Sequence, residues 1–308
     1  MPEPNKIAPI QIAIVGDVHD RWEPAAEAAA LEALGVQLVL FVGDFGNEAV
    51  DLVREIATLP LPKAVAFGNH DAWYTASDWG RKKCPYDPKE EDRVQEQIDL
   101  LGADHIGYGC KEFSNWQLAI VGGRPFSWGG TEWRNARFYR ERFSVSNFEE
   151  STARIVAAAA AAQSDRLIFL CHNGPQGLGA DPADICGRDW KDSGGDFGDP
   201  DLTAAIIRTR SLGKVIPLVA FGHMHHNLKH RGDRLRTTAV IDERGTTYVN
   251  AARVPRIIVA ENGRKQRNYT LVTLGADGVG NIELVWVAEG GVVTSREAIE
   301  PLALEVAA

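Results

Sequence analysis

The chain has 308 residues, of which 44% are hydrophobic and 24% are charged, the ordinary proportions of a globular protein with a substantial core. Its 33 basic and 42 acidic residues give a net charge of −9, which argues against a protein specialised for binding nucleic acid. The longest apolar stretch, 155–162, is far shorter than the roughly 20 residues of a membrane-spanning helix, so no membrane span is predicted.

Predicted strands and helices alternate along most of the chain. The N-terminal segment runs into the first strand without the features of a signal peptide, so we expect a cytoplasmic protein. Short runs that are apolar at consecutive positions predict buried strands at 12–15, 38–42, 64–67, 118–121, 167–170 and 218–221. Helices are predicted at 24–34, 48–58, 149–163 (capped by residue 146 or 147) and 199–210, where Asp199 and Pro200 are typical of a helix start. This alternation predicts an α/β fold.

The C-terminal part has a different pattern. Strands are predicted at 246–250, 268–274 and 282–287 without helices between them, which indicates a second sheet formed partly from this segment. No repeat or linker divides the chain, so we predict one domain over 1–308, with inserted loops near 79–93, 123–148 and 177–201. The first two loops are rich in arginine and aromatic residues, which pack or bind a ligand.

The third loop and the cysteines carry weaker signals. The segment 177–201 contains seven aspartates, which we expect to cap turns, with a lid or an additional cation site as the alternative. The four cysteines are scattered and form no CxxC pair, which favours reduced thiols over a zinc ribbon or a redox motif.

Polar residues with metal-ligand chemistry follow five of the predicted strands. They form the motifs GDVH at 16–19, GD at 43–44, GNHD at 68–71, CHNG at 171–174 and GHMHH at 222–226. Ligands of an open α/β sheet lie outside the carboxyl ends of its strands, so we expect all five motifs to converge on one crevice. Side chains two apart in an extended segment point the same way, so Asp17 and His19 could hold one ion together. One such motif is usually an ordinary polar pair, whereas five in order indicate a metal site.

This set of motifs resembles that of the calcineurin-like metallophosphoesterase superfamily, over about residues 10–230. The resemblance implies a four-layer α/β/β/α sandwich, with two central β-sheets flanked by helices, and a site for two metal ions. It implies one ion held by Asp17, His19 and His225, a second held by Asn69, His172 and His223, and Asp44 as the bridge between them. The mixed nitrogen and oxygen ligands suit divalent or trivalent manganese or iron, or zinc, better than magnesium or calcium.

The resemblance also gives His70 a catalytic role, in which it contacts the phosphate and assists the leaving group. The alternative for His70 is a hydrogen-bonded structural role beside the metals. Arg21 and Arg124 are candidate substrate-binding residues, since a guanidinium can hold two phosphate oxygens, although a surface salt bridge would also explain either one. Of the remaining histidines, His226 is expected to be structural. His105 and His230 are expected to lie at the surface.

Differences from the motifs of related families indicate which branch of the superfamily this chain resembles. Ser/Thr protein phosphatases have GDxxDRG and GNHE, whereas this chain has GDFGNE at 43–48 and Asp71 in place of the glutamate. Asn47 stands where their acidic partner of the catalytic histidine would be, and where purple acid phosphatases have a tyrosine ligand. GNHD and GHMHH look more like small bacterial-type phosphoesterases, and longer stretches such as GGRPFSWGG resemble a little-characterised subgroup from photosynthetic organisms.

The predicted function is hydrolysis of a phosphate ester, in a small phosphorylated substrate, by a hydroxide that bridges two metal ions. Monoesters and diesters both remain open. A nuclease is an alternative that the acidic net charge disfavours. A non-catalytic metal-binding scaffold of the same fold is a second alternative, against which the complete ligand set argues.

Overall fold

The computed structural model describes residues 8–191, 193–261 and 263–304. The strands in these residues are β1 (Ile10–Val15), β2 (Leu38–Phe41), β3 (Lys63–Val65), β4 (Cys110–Phe113), β5 (Leu118–Gly122), β6 (Arg166–Leu170), β7 (Val215–Phe221), β8 (Ala239–Ile241), β9 (Thr247–Asn250), β10 (Ile257–Val259), β11 (Lys265–Gly275), β12 (Gly278–Ala288), β13 (Val292–Ala298) and β14 (Leu302–Ala303). The α-helices are α1 (Pro24–Ala33), α2 (Val50–Ala57), α3 (Asp78–Arg81), α4 (Arg93–Leu101), α5 (Ala136–Phe143), α6 (Phe148–Ala161) and α7 (Pro200–Ser211).

The strands form two mixed sheets. The first has the order β13-β12-β11-β1-β2-β3, with β10 paired to β11, and the second has the order β14-β8-β9-β7-β6-β5-β4. β1, β2 and β3 are parallel, and so are β5, β6, β7 and β9. β1 lies between β2 and β11; it pairs parallel with β2 and antiparallel with β11. The parallel strands therefore bring their carboxyl ends to one side of the molecule, where ligands of such sheets bind.

Three apolar layers separate four layers of secondary structure. In β1, Ile12 and Ile14 face the second sheet, whereas Ala13 and Val15 pack toward α1. The same alternation holds in the second sheet, where one set of side chains faces the first sheet and the other packs against α6 and α7. Burial on both faces explains why the strands are apolar at consecutive positions. The predicted four-layer α/β/β/α sandwich is confirmed.

Most predicted elements are present, with small shifts at their ends. α6 begins with Asn147, whose side chain accepts a hydrogen bond from the backbone N–H of Glu150. α7 begins after Asp199 with Pro200, as predicted, but the Asp199 carboxylate makes no capping bond because it is engaged by other side chains. As predicted, the second sheet is formed partly from the C-terminal segment, through β8, β9 and β14; the strands β10 to β13 of the same segment extend the first sheet.

Two smaller expectations have different outcomes. His105 is not a surface residue as predicted, since its ring packs 4.9 Å from that of Phe67 and burial lowers its pKa to about 4. His226 is buried and donates from Nε2 to the Asn250 carbonyl, which agrees with a structural role.

All four cysteines are free thiols. None of the helices in the described residues is both long and apolar enough to span a bilayer.

Candidate metal centre

The five polar motifs meet at the carboxyl ends of five strands and in the loops that follow them. Asp17 and His19 follow β1, Asp44 follows β2, Asn69 follows β3, His172 follows β6, and His223 and His225 follow β7. Their ligand-type atoms form overlapping groups in which all atoms lie within 4.8 Å of one another. The expected convergence is therefore present.

The first group contains Asp17, His19 and His225. Nε2 of His225 lies 3.2 Å from Oδ2 of Asp17 and 3.2 Å from Nε2 of His19. Oδ2 of Asp17 is buried without a hydrogen-bond donor in good geometry. His19 has a left-handed backbone with φ of 45°, so Asp17 and His19 converge through a turn and not through the strand alternation that the spacing suggested.

The second group contains Asp44, His172 and His223, with Asn69 beside them. Nε2 of His172 lies 3.0 Å from Nδ1 of His223, 3.0 Å from Oδ1 of Asn69 and 3.4 Å from Oδ1 of Asp44. Asp44 is also grouped with His19 and His70, so its carboxylate stands between the two groups. His223 and His225 are two residues apart but belong to different groups.

The hydrogen bonding of His172 tests whether these residues fit a cation. Its Nδ1 lies 2.7 Å from the carbonyl oxygen of Val42, which can only accept, so Nδ1 carries the proton. In the neutral imidazole, Nε2 then presents a lone pair to the oxygens of Asn69 and Asp44. Such an arrangement is repulsive without a cation and is the usual orientation of a metal-binding histidine. The residues therefore fit the metal site that the motifs indicate, and the individual ligand roles stay predictions.

Burial and mutual repulsion shift the pKa values in this cluster. Burial would raise the pKa of Asp17, but the imidazoles of His225, His172 and His19 outweigh it and hold that pKa below its ordinary value. Burial, together with the Asp17 carboxylate, raises the pKa of Asp44 well above its ordinary value. Burial, together with His172, lowers the pKa of His223. A cation would relieve the repulsion between the two carboxylates and favour the unprotonated imidazoles.

The backbone around the site is tightly folded. A Cβ atom on Gly68 would lie 2.3 Å from Oδ1 of Asp44, and one on Gly222 would lie 2.3 Å from Oδ1 of Asp17, so only glycine fits beside either carboxylate. Asp44 and His223 have positive φ values of 53° and 66°. Strained backbone of this kind costs about 1–3 kcal/mol per residue and concentrates at functional sites.

His70 lies at the edge of the cluster. Its Nε2 is 3.9 Å from Oδ2 of Asp44, and its Nδ1 is 2.6 Å from Oδ1 of Asn47, so Asn47 is the partner of this histidine. The imidazole stacks on Trp73 at a centroid distance of 4.5 Å, and Trp73 stacks in turn on Trp128 at 5.3 Å. Burial, together with the neighbouring His19, lowers the pKa of His70 to about 4.

Comparisons with known proteins identify the family. The sequence pattern of the calcineurin-like phosphoesterase family matches residues 10–227. The chain belongs to this family. No curated protein matches the sequence closely enough to count as a relative.

Among the solved structures, one match is strong enough to show the fold. One protein with 14% sequence identity matches over 90% of this chain and 98% of its own, with a TM-score of 0.51, which shows a shared fold. A hypothetical protein from Thermus thermophilus has 14% identity over 91% of this chain and 100% of its own, with a TM-score of 0.41. A 5'-nucleotidase from Candida albicans has 11% identity over 91% of this chain and 51% of its own, with a TM-score of 0.45.

Within this phosphoesterase fold, Asp71 is a residue that the sequence did not single out. It is fully buried and accepts hydrogen bonds from the backbone N–H groups of Asp44, Phe45 and Gly68, at 3.0, 2.9 and 2.7 Å. Asp71 thus ties the turn after β2 to the turn after β3 and fixes the direction of the Asp44 side chain. Its position in GNHD, directly after His70, was the available signal.

The prediction that Arg124 contacts the substrate is not supported by its surroundings. The guanidinium is buried and lies 2.8 Å from Oδ1 of Asp199 and 3.0 Å from Oδ2 of Asp201. Three rings surround it, with centroids at 5.1, 5.5 and 5.4 Å, from Trp133, Tyr139 and Phe148. Since its charge is already balanced inside the protein, Arg124 joins the inserted loops to each other and is closed to a phosphate.

Arg21 has a different location. It is exposed, and its Nη1 donates to the carbonyl of Ile257 at 3.3 Å, beside a small surface cavity that contains none of the metal-type residues. Phosphate binding by Arg21 stays a prediction. The expectation that the aspartates of 177–201 cap turns holds for three of those that the structure describes: Asp184 accepts from the N–H of Asp181, Asp181 from that of Ala183, and Asp196 from those of Gly177 and Gly198. Asp189, Asp199 and Asp201 instead pair with arginines.

Proposed function

We propose that this protein hydrolyses a phosphate ester with two transition-metal ions held by the two groups around Asp44. Membership of the phosphoesterase family supports the reaction class. The observation that carries the two-ion proposal is the position of the Asp44 carboxylate, which is grouped with His172 and His223 on one side and with His19 and His70 on the other. Manganese or iron, or zinc, suits this donor set.

The residues of the chain have separate tasks in this reaction. When bound, the two ions would lower the pKa of a water molecule and neutralise charge on the phosphoryl oxygens. Asp71 and Gly68 hold the Asp44 carboxylate in place through the turn between them. His172 is fixed by its bond to Val42, so its Nε2 faces the site without a reorientation.

His70 is positioned to handle the proton on the leaving oxygen. Because Nδ1 donates to the Asn47 amide oxygen, Nε2 is the atom that faces the reaction space. There it donates a proton to the leaving oxygen when the imidazole is protonated. Stacking on Trp73 holds the ring in this orientation.

The test measures metal content and activity together. Protein loaded with manganese should contain close to two ions per chain by elemental analysis, and should hydrolyse members of a panel of monoesters and diesters. Asp44→Asn should reduce occupancy of both sites, whereas His19→Ala should mainly reduce one. One tightly bound ion that Asp44→Asn leaves unchanged would contradict the two-ion proposal.

A further inference from the structure

A cavity of about 510 Å³ opens directly beside the metal centre. Its inner wall includes Asn69, His223 and His225. Its other walls come from three places: the loop after β5, the segment 177–201 and the turn after β7. This cavity is therefore open to the organic part of an ester held beside Asn69, His223 and His225.

Aromatic rings line much of the cavity. Trp128 contributes from the loop after β5, while Trp190 and Phe197 contribute from the segment 177–201. The Trp190 ring meets that of Phe197 edge-to-face at 4.6 Å yet remains 38% exposed. Phe197 is nearly parallel to the imidazole of His223, with an angle of 11° between the planes. An exposed tryptophan at the mouth of a polar site offers an apolar face to a planar ligand.

Two of these rings, Phe197 and Trp128, stand on hydrogen-bonded backbone. The carbonyl of Phe197 accepts hydrogen bonds from the N–H of Gly130 at 2.8 Å and from the side-chain amide of Asn173 at 2.9 Å. Oγ of Ser127 donates to Asp199 and accepts from the N–H of Gly129, so the ion-paired Asp199 also holds the loop of Trp128. These hydrogen bonds fix the wall of the cavity that Phe197 and Trp128 form.

The charged residues of the cavity leave a positive balance at its rim. Three cations, Arg134, Lys229 and Arg236, face one carboxylate, that of Asp189. Asp189 is occupied, since it pairs with Arg236 at 3.5 Å and accepts from the N–H of Lys229 at 2.7 Å. Arg134 pairs with exposed Glu132 at 3.4 Å. Across the described residues, no carboxylate forms an ion pair with the Lys229 ammonium, which is exposed.

We propose that this cavity binds a phosphate ester whose organic part is a planar aromatic ring carrying a second anionic group, with the ring beside Trp190 and Phe197 and the anion near Lys229. This substrate class rests on the proposed phosphoesterase function. It follows from the order of residue types along the cavity. Residues of the metal centre form the inner wall, aromatic rings come next, and an unpaired cation lies at the rim.

Three esters of primary alcohols separate the two parts of this proposal. Benzyl phosphate and cyclohexylmethyl phosphate differ in the planarity of the ring, and 4-carboxybenzyl phosphate adds the second anion. On the manganese-loaded protein, kcat/KM should be highest for 4-carboxybenzyl phosphate and lowest for cyclohexylmethyl phosphate. The ring preference should be about 3- to 10-fold, as for one aromatic contact. The carboxylate preference should be about 2- to 5-fold and should shrink in high salt.

Variants assign these preferences to residues. Trp190→Leu should reduce the ring preference, and Trp190→Phe should restore part of it. Lys229→Met should abolish the carboxylate preference while Lys229→Arg keeps it. Lys89→Met is the matched control, since Lys89 is exposed in the segment 79–93 and does not line the cavity. Calorimetric binding of 4-carboxybenzylphosphonate to the same variants gives a readout that does not depend on turnover.

The outcomes distinguish the two proposals. Hydrolysis of all three esters with equal kcat/KM, or preferences that Trp190→Leu and Lys229→Met leave intact, would overturn the substrate class while supporting phosphoester hydrolysis. No hydrolysis of these three esters or of any monoester or diester in the panel, together with phosphonate binding that weakens in both variants, would overturn the catalytic proposal and support the cavity assignment.

Discussion

Replacing Arg124 by methionine should destabilise the fold instead of weakening a substrate contact. Arg124 is only 4% exposed, and two buried carboxylates lie within 3.0 Å of its guanidinium nitrogens. Removing one partner of a buried ion pair costs about 3–5 kcal/mol, because the remaining charge is left without compensation. We therefore expect Arg124→Met to lower the free energy of unfolding by about 3–5 kcal/mol.

The shifted pKa of Asp199 makes the loss of stability in Arg124→Met depend on pH. Burial, opposed by Arg124, raises the pKa of Asp199 to about 6 in the folded protein. The folded state then binds the proton more tightly than the unfolded state, so the contribution of Asp199 to stability falls as pH rises from its ordinary pKa to about 6. Without Arg124 this pKa rises further. The difference between Arg124→Met and the unchanged protein should therefore be larger at about pH 8 than at about pH 5.

Urea unfolding followed by circular dichroism, at fixed manganese concentration, measures this effect. Arg137→Met is the control, since Arg137 is exposed and its pair with Glu141 should contribute less than about 0.5 kcal/mol. Adding Asp199→Asn and Asp201→Asn to Arg124→Met should recover part of the loss. A loss no larger than that of Arg137→Met, or reduced kcat/KM in a fully stable Arg124→Met protein, would refute the reasoning.

Three further predictions concern the metal centre. His70→Ala should keep the metal content and reduce turnover by about 10²- to 10⁴-fold, more for alkyl than for nitrophenyl phosphates; equal losses would point to phosphate binding instead of proton donation. Asn47→Asp places a carboxylate beside Nδ1 of His70 and should raise its pKa, so the alkaline limb of the kcat profile should move to higher pH; an unmoved limb would argue against His70 as the acid. Chelation should lower the melting temperature and manganese should restore it, since ions that bind only the folded state stabilise it; an identical melting temperature with and without chelator would speak against a metal site.

The ends of the strands could be predicted from sequence because the residues that end a strand are neighbours in the chain. An apolar run followed by Gly and Asp marks where a buried strand leaves the sheet, and parallel strands bring those ends together. Asp17, His19 and Asp44 were placed in this way. The backbone conformation that brings His19 to the site was not predicted, since His19 itself has a left-handed backbone that the sequence pattern does not reveal.

Partners far apart in sequence could not be predicted. Arg124 was a candidate because a guanidinium can hold two phosphate oxygens, yet its carboxylate partners Asp199 and Asp201 lie 75 and 77 positions later in the chain. Asn47 is a contrasting case, because the resemblance already placed it at the position of the histidine's partner, and it does contact His70. The division of the C-terminal strands between both sheets follows from which sheet has an open edge next to each strand.

The position of β1 between β2 and β11 has a consequence for biosynthesis. β1, the strand that precedes Asp17 and His19, is synthesised long before its partner β11, since Ala13 pairs with Leu271, which lies 258 positions later (271 − 13). Until β11 emerges, β1 presents an open edge that can pair with other chains. We therefore expect a messenger truncated before β11 to yield an aggregating product without metal.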